Sequence, residues 1–215
     1  AALAALLPRL TAAQRELLST RTQGWPVALQ LARLWLEAKP ERVELIEGFS
    51  GHTTEVAEFL TEQVLADLPP AISNTLELTS PLDALCAEVA AAITGERESW
   101  QQLIEHPSLV HLVVPLDEDR SWYRLHPLLT DHLRDRLHQR APALETQCHS
   151  RASAWFEDNN MRVEAVRHAA AAGDVARAAA LVEKAGGWRL VIFGGSSLMR
   201  ALLAEIPANR LAEFP

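Results

Sequence analysis

The sequence predicts a mainly α protein that carries one small β-hairpin. Along most of the 215 residues, apolar side chains recur at three- and four-residue spacing, which is typical of amphipathic helices. Two short apolar runs, at 112–116 and 122–125, flank the polar segment 117–121, and this pattern indicates a hairpin. Shifts in composition divide the chain into three predicted regions: residues 1–46, 47–140 and 141–215.

The first region, residues 1–46, is predicted to hold two helices joined at a corner. Thr11 and Gln14 have the spacing of a capping box, which starts the first helix. Gly24 permits the sharp turn that follows, and Pro26 suits the first position of the second helix. On pattern alone, we interpret this Gly-Trp-Pro sequence as a helix corner with a tryptophan in the core.

The second region, residues 47–140, has the element order of a winged helix: short helices, the hairpin and a further helix. Pro115 cannot donate a ladder hydrogen bond, so its strand is predicted to lie at the sheet edge. Pro127 suits the first turn of the last helix, which leaves His126 between a strand end and a helix start. Two interpretations of His126 follow. It is either a boundary histidine whose ring bonds a backbone group, or an anion sensor, because a helix N-terminus favours a phosphate.

The third region, residues 141–215, is predicted to consist of paired short helices. Helices are expected over about 144–158, 161–172 and 174–184. Their many alanines let backbones pack closely, and helix pairs of about thirty residues are typical of tetratricopeptide-like (TPR-like) superhelices. We interpret the region as the first repeats of a superhelix that continues in a longer chain.

The uneven charge of the chain bears on nucleic-acid binding. Residues 47–140 carry six basic and sixteen acidic side chains, a net charge of −10, whereas the whole chain has −8. A winged helix that grips DNA needs Lys and Arg to replace counterions along the phosphates. The predicted hairpin also has an acidic tip at 117–119. The sequence therefore predicts no direct DNA contact by this winged helix.

The sequence offers no membrane segment and two isolated cysteines. Since no stretch reaches the length of an apolar membrane helix, we expect no membrane partner. Cys86 and Cys148 are far apart in helix-like surroundings, and we interpret them as buried free thiols in a reducing environment. The predicted location is cytoplasmic.

Catalytic and metal-binding patterns are missing from the sequence. It lacks the phosphate-binding loop of an ATPase and the motifs of zinc proteases and nucleophilic hydrolases. His126, His132 and His138 are six residues apart, so they point to different sides of a helix. Asp131 and Asp135 are predicted to lie with His132 on a solvated helix face. For this chain alone we therefore expect no enzyme activity, no metal site and no cofactor.

Three segments carry a family resemblance, and they occur in the order that the family has. They are RTQGWPVALQLARLWL at 21–36, VPLDEDRSWYRLHPLLTDHLRDRL at 114–137 and EAVRHAAAAGDVARAAALVEKAG at 164–186. Together they resemble the large ATP-dependent LuxR-family transcriptional regulators of the maltose-activator type, which are STAND signal-transduction ATPases. The resemblance implies a central fragment of such a protein.

In that family, the three regions have defined places. Residues 1–46 would be the C-terminal helical part of the NTPase module, 47–140 the winged-helix domain, and 141–215 the start of the TPR-like superhelix. The resemblance further implies that the full-length protein is a slow signalling ATPase. Its partners would be its own ATPase core and C-terminal DNA-binding domain, a small effector, and further copies of itself on activation.

The resemblance also implies a nucleotide site. Pro26 would touch the adenine, Gly24 would allow close approach, and His126 would donate to the β-phosphate of ADP in the resting state. ATP or ADP with Mg²⁺ would be the cofactors of the full-length protein. Composition alone supports an alternative equally well, a free-standing helical adaptor that binds a protein or peptide through its alanine-rich helices.

Overall fold

The computed structural model describes residues 10–38, 46–187, 189–192 and 195–207. These residues form two compact units. The first contains the described residues up to Leu85 together with Glu98–Arg136, and the second contains Cys86–Arg97 together with the described residues from Leu137 onward. The predicted domain boundaries at 46/47 and 140/141 remain predictions.

Helices dominate both units, and the mainly α prediction is confirmed. The α-helices in chain order are α1 Ala12–Thr22, α2 Pro26–Ala38, α3 Thr54–Phe59, α4 Pro70–Thr79, α5 Ala87–Thr94, α6 Glu98–Glu105, α7 Pro127–Arg140, α8 Pro142–Asp158, α9 Arg162–Ala171, α10 Val175–Lys184, α11 Arg189–Ile192 and α12 Ser196–Ala204. Short 3-10 turns occur at Ile46–Gly48 and Pro107–Leu109, and a π-helical segment at Leu60–Leu65. In the described part of the chain, no helix is long and apolar enough to cross a bilayer.

The first helix pair begins and turns as predicted. Thr11 and Gln14 form the capping box, with the Gln14 N–H donating to Thr11 Oγ1 at 3.3 Å and the Thr11 N–H donating to Gln14 Oε1 at 2.9 Å. The apolar spacing of Val27, Leu31, Leu34 and Trp35 predicts that they form the inner face of α2. Leu34 is nevertheless 57% exposed, while Ala28 and Ala32 are fully buried. Small residues let the backbone of α2 approach its neighbours closely, so alanines form this contact.

The hairpin of the first unit pairs β1 (Val113–Pro115) with β2 (Tyr123–Leu125) in antiparallel register. On its other side, β2 forms an isolated bridge in which Tyr123 and Leu85 exchange two backbone hydrogen bonds of 2.8 Å. The strand that contains Pro115 is therefore the outer one, as predicted. Two of the largest buried side chains, Leu128 and Leu129, lie in α7 just after the hairpin.

The second unit is built on helix pairs. Helix α9 packs against both α8 and α10, while α5 packs against α8. Asp174 caps α10 as an acceptor for the Arg177 N–H at 2.9 Å. Cys86 and Cys148 are buried free thiols, as predicted, and burial raises the pKa of each to about 11.

Candidate functional site

The corner between α1 and α2 is the first half of the candidate site. Gln23 and Gly24 both adopt left-handed backbone conformations, with φ of 47° and 77°. A Cβ on Gly24 would meet no atom within 4 Å. The glycine is therefore explained by its positive φ and not by a close neighbour in this chain. Pro26 begins α2, and both Gly24 and Pro26 are exposed.

His126 is the second half of the site and lies inside the first unit, with 1% of its surface exposed. Its Nε2–H donates to the Thr22 carbonyl at 2.9 Å, across 104 residues of sequence. The Leu128 N–H donates to Nδ1 at 3.3 Å. The two partners fix one tautomer, because a carbonyl needs a donor and an N–H needs an acceptor. Burial lowers the pKa of His126, so the ring is neutral at pH 7.

An aromatic contact joins the two halves. The Trp25 ring lies 5.4 Å from the His126 ring, edge-on at 63°, and 6.0 Å from the ring of Phe59. Trp25 is 8% exposed, which confirms the corner with a core tryptophan. We call the group of Thr22, Gly24, Trp25, Pro26 and His126 the corner site.

A second set of contacts fastens the loop at Gly51 to α7. Asp131 accepts a hydrogen bond from the Gly51 N–H at 3.4 Å and lies 4.0 Å from Arg21 Nη1. A Cβ on Gly51 would lie 2.1 Å from the Leu128 carbonyl oxygen and 2.7 Å from the backbone nitrogen of His132. Only glycine permits this approach of loop and helix backbones.

The face of α7 that was predicted to be solvated therefore carries packing contacts. His132 Nε2 lies 3.2 Å from Thr61 Oγ1, in the π-helical segment. His52 Nδ1 lies 3.8 Å from Asp135. No local sequence pattern indicates these contacts, because Thr61 lies 71 residues from His132 and Gly51 lies 80 residues from Asp131. On sequence alone, the two glycines at 48 and 51 predict a linker between subdomains and no contact with α7.

The structure thus brings Gly24, Pro26 and His126 into one corner site but gives them different surroundings. Gly24 and Pro26 are open to a ligand, whereas both nitrogens of His126 bond groups of this chain. The interpretation of His126 as a boundary histidine bonded to the backbone describes the observed geometry. Its phosphate contact, and the base contact of Pro26, stay predictions. Among the described residues, no group of three or more His, Cys, Asp or Glu side chains could hold a metal ion.

Part of this chain matches a known protein family. Residues 61–145 match the family described as the MalT winged helix domain. The serine/threonine-protein kinase PknK of Mycobacterium tuberculosis is 37% identical over 176 residues, which are 82% of this chain and 16% of the kinase. The HTH-type transcriptional regulators MalT of Klebsiella pneumoniae and Vibrio parahaemolyticus are each 26% identical, over 194 and 204 residues.

The two MalT alignments cover 89% and 92% of this chain but 21% and 22% of the relatives. The chain therefore spans about a fifth or less of the length of the curated relatives it matches. The winged-helix prediction is confirmed by the matched family and by the observed order of helices and hairpin. Over most of its length the chain is similar to a MalT-like regulator, with a winged-helix domain of the MalT type in residues 61–145.

Proposed function

We propose that this chain is the regulatory middle region of an ATP-dependent transcriptional activator. It would couple nucleotide state and effector binding to oligomerisation and DNA binding by flanking domains. The similarity to MalT regulators over about nine tenths of the chain supports this role. The observation that carries it is the bond between His126 and Thr22, because it ties the winged helix to the helix corner that the family resemblance assigns to nucleotide.

The corner site fits a bound nucleotide in part. Pro26 and Gly24 are exposed, and a proline ring beside an open glycine backbone is a suitable surface for a planar base. His126 does not fit a phosphate contact while its Nε2–H bonds the Thr22 carbonyl. ATP and ADP, each with Mg²⁺, would differ at such a site by one phosphoryl group and its charge. In this proposal His126 is a positioning residue that holds the corner, and Pro26 contacts the ligand.

The decisive experiment is a calorimetric titration of ADP into the full-length protein. Pro26→Ala should weaken ADP binding, because it removes the proline ring from an exposed surface and leaves the buried core intact. Pro142→Ala is the matched control, since Pro142 is also an exposed proline at the first position of a helix. Equal ADP affinity in the wild type and in both variants would show that Pro26 has only a structural role.

A second candidate is the same regulatory role within a protein kinase. The observation in its favour is the 37% identity to PknK, a serine/threonine-protein kinase, which exceeds the identity to the MalT regulators. The coding sequence upstream of Ala1 distinguishes the two candidates. An ATPase core without a kinase catalytic domain supports the activator, and a kinase catalytic domain in the same coding sequence supports the second candidate.

A further inference from the structure

A cavity of about 120 Å³ opens in the second unit, where the end of α8 meets α9 and α10. Four polar residues line it: Glu157 in α8, Asn160 in the following turn, Arg162 at the start of α9 and Lys184 at the end of α10. Asn160 has a left-handed φ of 60°, which turns the chain between α8 and α9 at the cavity. Three helices therefore contribute side chains of different charge to one small space.

The carboxylate of the cavity is already neutralised. Glu157 accepts hydrogen bonds of 2.7 Å from both Arg177 Nη2 and Lys184 Nζ. The Lys184 ammonium, and then the Arg177 guanidinium, hold the pKa of Glu157 below its usual range. The lining itself holds two cationic side chains, Arg162 and Lys184, against the single carboxylate of Glu157, so it carries an excess of positive charge.

The guanidinium group of Arg162 has unused hydrogen-bond donors. Among the described residues, none forms a hydrogen bond or ion pair with its guanidinium group, which has five N–H donors. Lys184 Nζ gives one hydrogen bond to Glu157, and 73% of its side-chain surface is exposed. Two cationic side chains thus face the same cavity with unused donors.

The rest of the lining is apolar. Ala165 and Leu181 are buried, with 1% and 8% of their surfaces exposed, and both lie on the cavity wall. A dry cavity of about 150 Å³ holds a benzene ring, so this space takes a ligand of about six non-hydrogen atoms or fewer. Nucleotides and oligosaccharides need sites of about 300–1,000 Å³ and do not fit.

We propose that this cavity binds a small carboxylate. Its oxygen atoms would accept hydrogen bonds from Arg162 and Lys184, and its short apolar chain would lie on Ala165 and Leu181. A carboxylate with a short chain suits the lining better than phosphate, because phosphate has no apolar part to lie on Ala165 and Leu181. The site is independent of the corner site and would stand if Pro26 and His126 bound no nucleotide.

The test is a titration of the full chain, labelled with ¹⁵N, with butyrate, its uncharged analogue butyramide and inorganic phosphate. Butyrate should shift the amide resonances of residues 157–165 and 181–185 to saturation, and butyramide should not. Arg162→Gln should raise the Kd for butyrate about tenfold, the loss expected for one charge-assisted hydrogen bond. Arg97→Gln removes an exposed arginine of the same unit that does not line the cavity, and it should leave the Kd unchanged.

Three outcomes would overturn the proposal. The first is the absence of a saturable shift with butyrate at these residues. The second is equal affinity for butyrate in the wild type and in Arg162→Gln, which would show adventitious binding. The third is binding of phosphate or butyramide at the same amides as tightly as butyrate. ADP titration of the same protein reports on the corner site separately, so failure of one proposal is distinguishable from failure of the other.

Discussion

At the scale of single residues, His126 shows how the environment selects between two chemical roles. The sequence placed it between a strand and a helix but left open whether its ring bonds backbone or anion. In the structure the ring is buried, its Nε2–H donates to the Thr22 carbonyl and its Nδ1 accepts from the Leu128 N–H. A protonated ring would lose the Leu128 bond and would place a charge in the core. The contact between His126 and the helix corner therefore requires the neutral form of the ring.

This condition predicts a loss of stability in mild acid. The folded-state pKa of His126 is lowered by burial from 6.5, so below pH 6.5 the unfolded chain binds a proton that the folded chain does not. The free energy of unfolding should fall as the pH drops below 6.5, by up to about 1.4 kcal/mol per pH unit for this one proton. The fall should end once the pH is below the folded-state pKa. Urea unfolding between pH 7.5 and 4.5 measures it.

Two variants separate His126 from the other histidines. His126→Gln should flatten the pH dependence and also lower stability at pH 7. His111→Gln, which replaces an exposed histidine, is the control for the substitution itself. His132, whose pKa burial also lowers, contributes a part of the slope that His126→Gln leaves in place. A slope identical in His126→Gln and the wild type would show that His126 has the same pKa in the folded and the unfolded chain, against the lowering by burial.

At the scale of elements, hydrophobic spacing located the helices well but not their variations. Apolar spacing predicts one helix from Thr54 to Leu68. The structure has an α-helix at Thr54–Phe59 that continues as a π-helix at Leu60–Leu65, with the Ala66 N–H donating to the Thr61 carbonyl at 3.0 Å. Apolar residues at three- and four-residue spacing fit either winding, so the sequence could not distinguish them. The consequence is local: the π-helical segment includes Thr61, which contacts His132 of α7.

The contact between the Gly51 loop and α7 predicts the effect of one added methyl group. Gly51→Ala should lower the free energy of unfolding by about 1–3 kcal/mol, because the new Cβ would overlap the Leu128 carbonyl and backbone atoms cannot rotate away. Chemical denaturation followed by tryptophan fluorescence measures the change.

Gly48→Ala is the matched control for that measurement. Gly48 ends the 3-10 turn just before that loop, has no positive φ, and a Cβ there would meet no atom within 4 Å. Its replacement should leave stability unchanged or raise it by about 0.5 kcal/mol, since alanine restricts the unfolded chain. Equal effects of the two substitutions would mean that loop and helix do not approach as closely as described.

At the scale of the whole molecule, charge sets the partners that the winged helix can accept. Residues 47–140 hold sixteen acidic and six basic side chains. At the tip of the hairpin, Asp117 accepts from the Ser121 N–H at 2.7 Å and from the Trp122 N–H at 3.2 Å, so its carboxylate orders the turn. Glu118 and Asp119 remain exposed beside it. Such a tip repels phosphates.

The chain should accordingly show no salt-dependent DNA binding. A mobility-shift titration of the 215-residue chain with duplex DNA, between about 50 and 200 mM salt, should give no shifted band at any concentration of salt. A double variant, Glu118→Lys with Asp119→Lys, changes the charge of the tip by four units and should bind more strongly than the wild type. A steep salt dependence in the wild-type chain would refute the argument from charge.

The sequence by itself determined the helices, the hairpin, its edge strand and the corner at Gly24. These features depend on local rules: the period of apolar residues, the missing N–H of proline and the free φ of glycine. The assignment of Gly24, Pro26 and His126 to a nucleotide site comes from the family resemblance and stays a prediction.

Only the tertiary structure decided the surroundings of those residues. The bond from His126 to Thr22 spans 104 residues, and the bond from Gly51 to Asp131 spans 80. The exposure of Leu34 and the burial of Ala28 were also settled by packing. Local preferences carry no information on which distant backbone will approach, because that choice depends on the burial of the whole core at once.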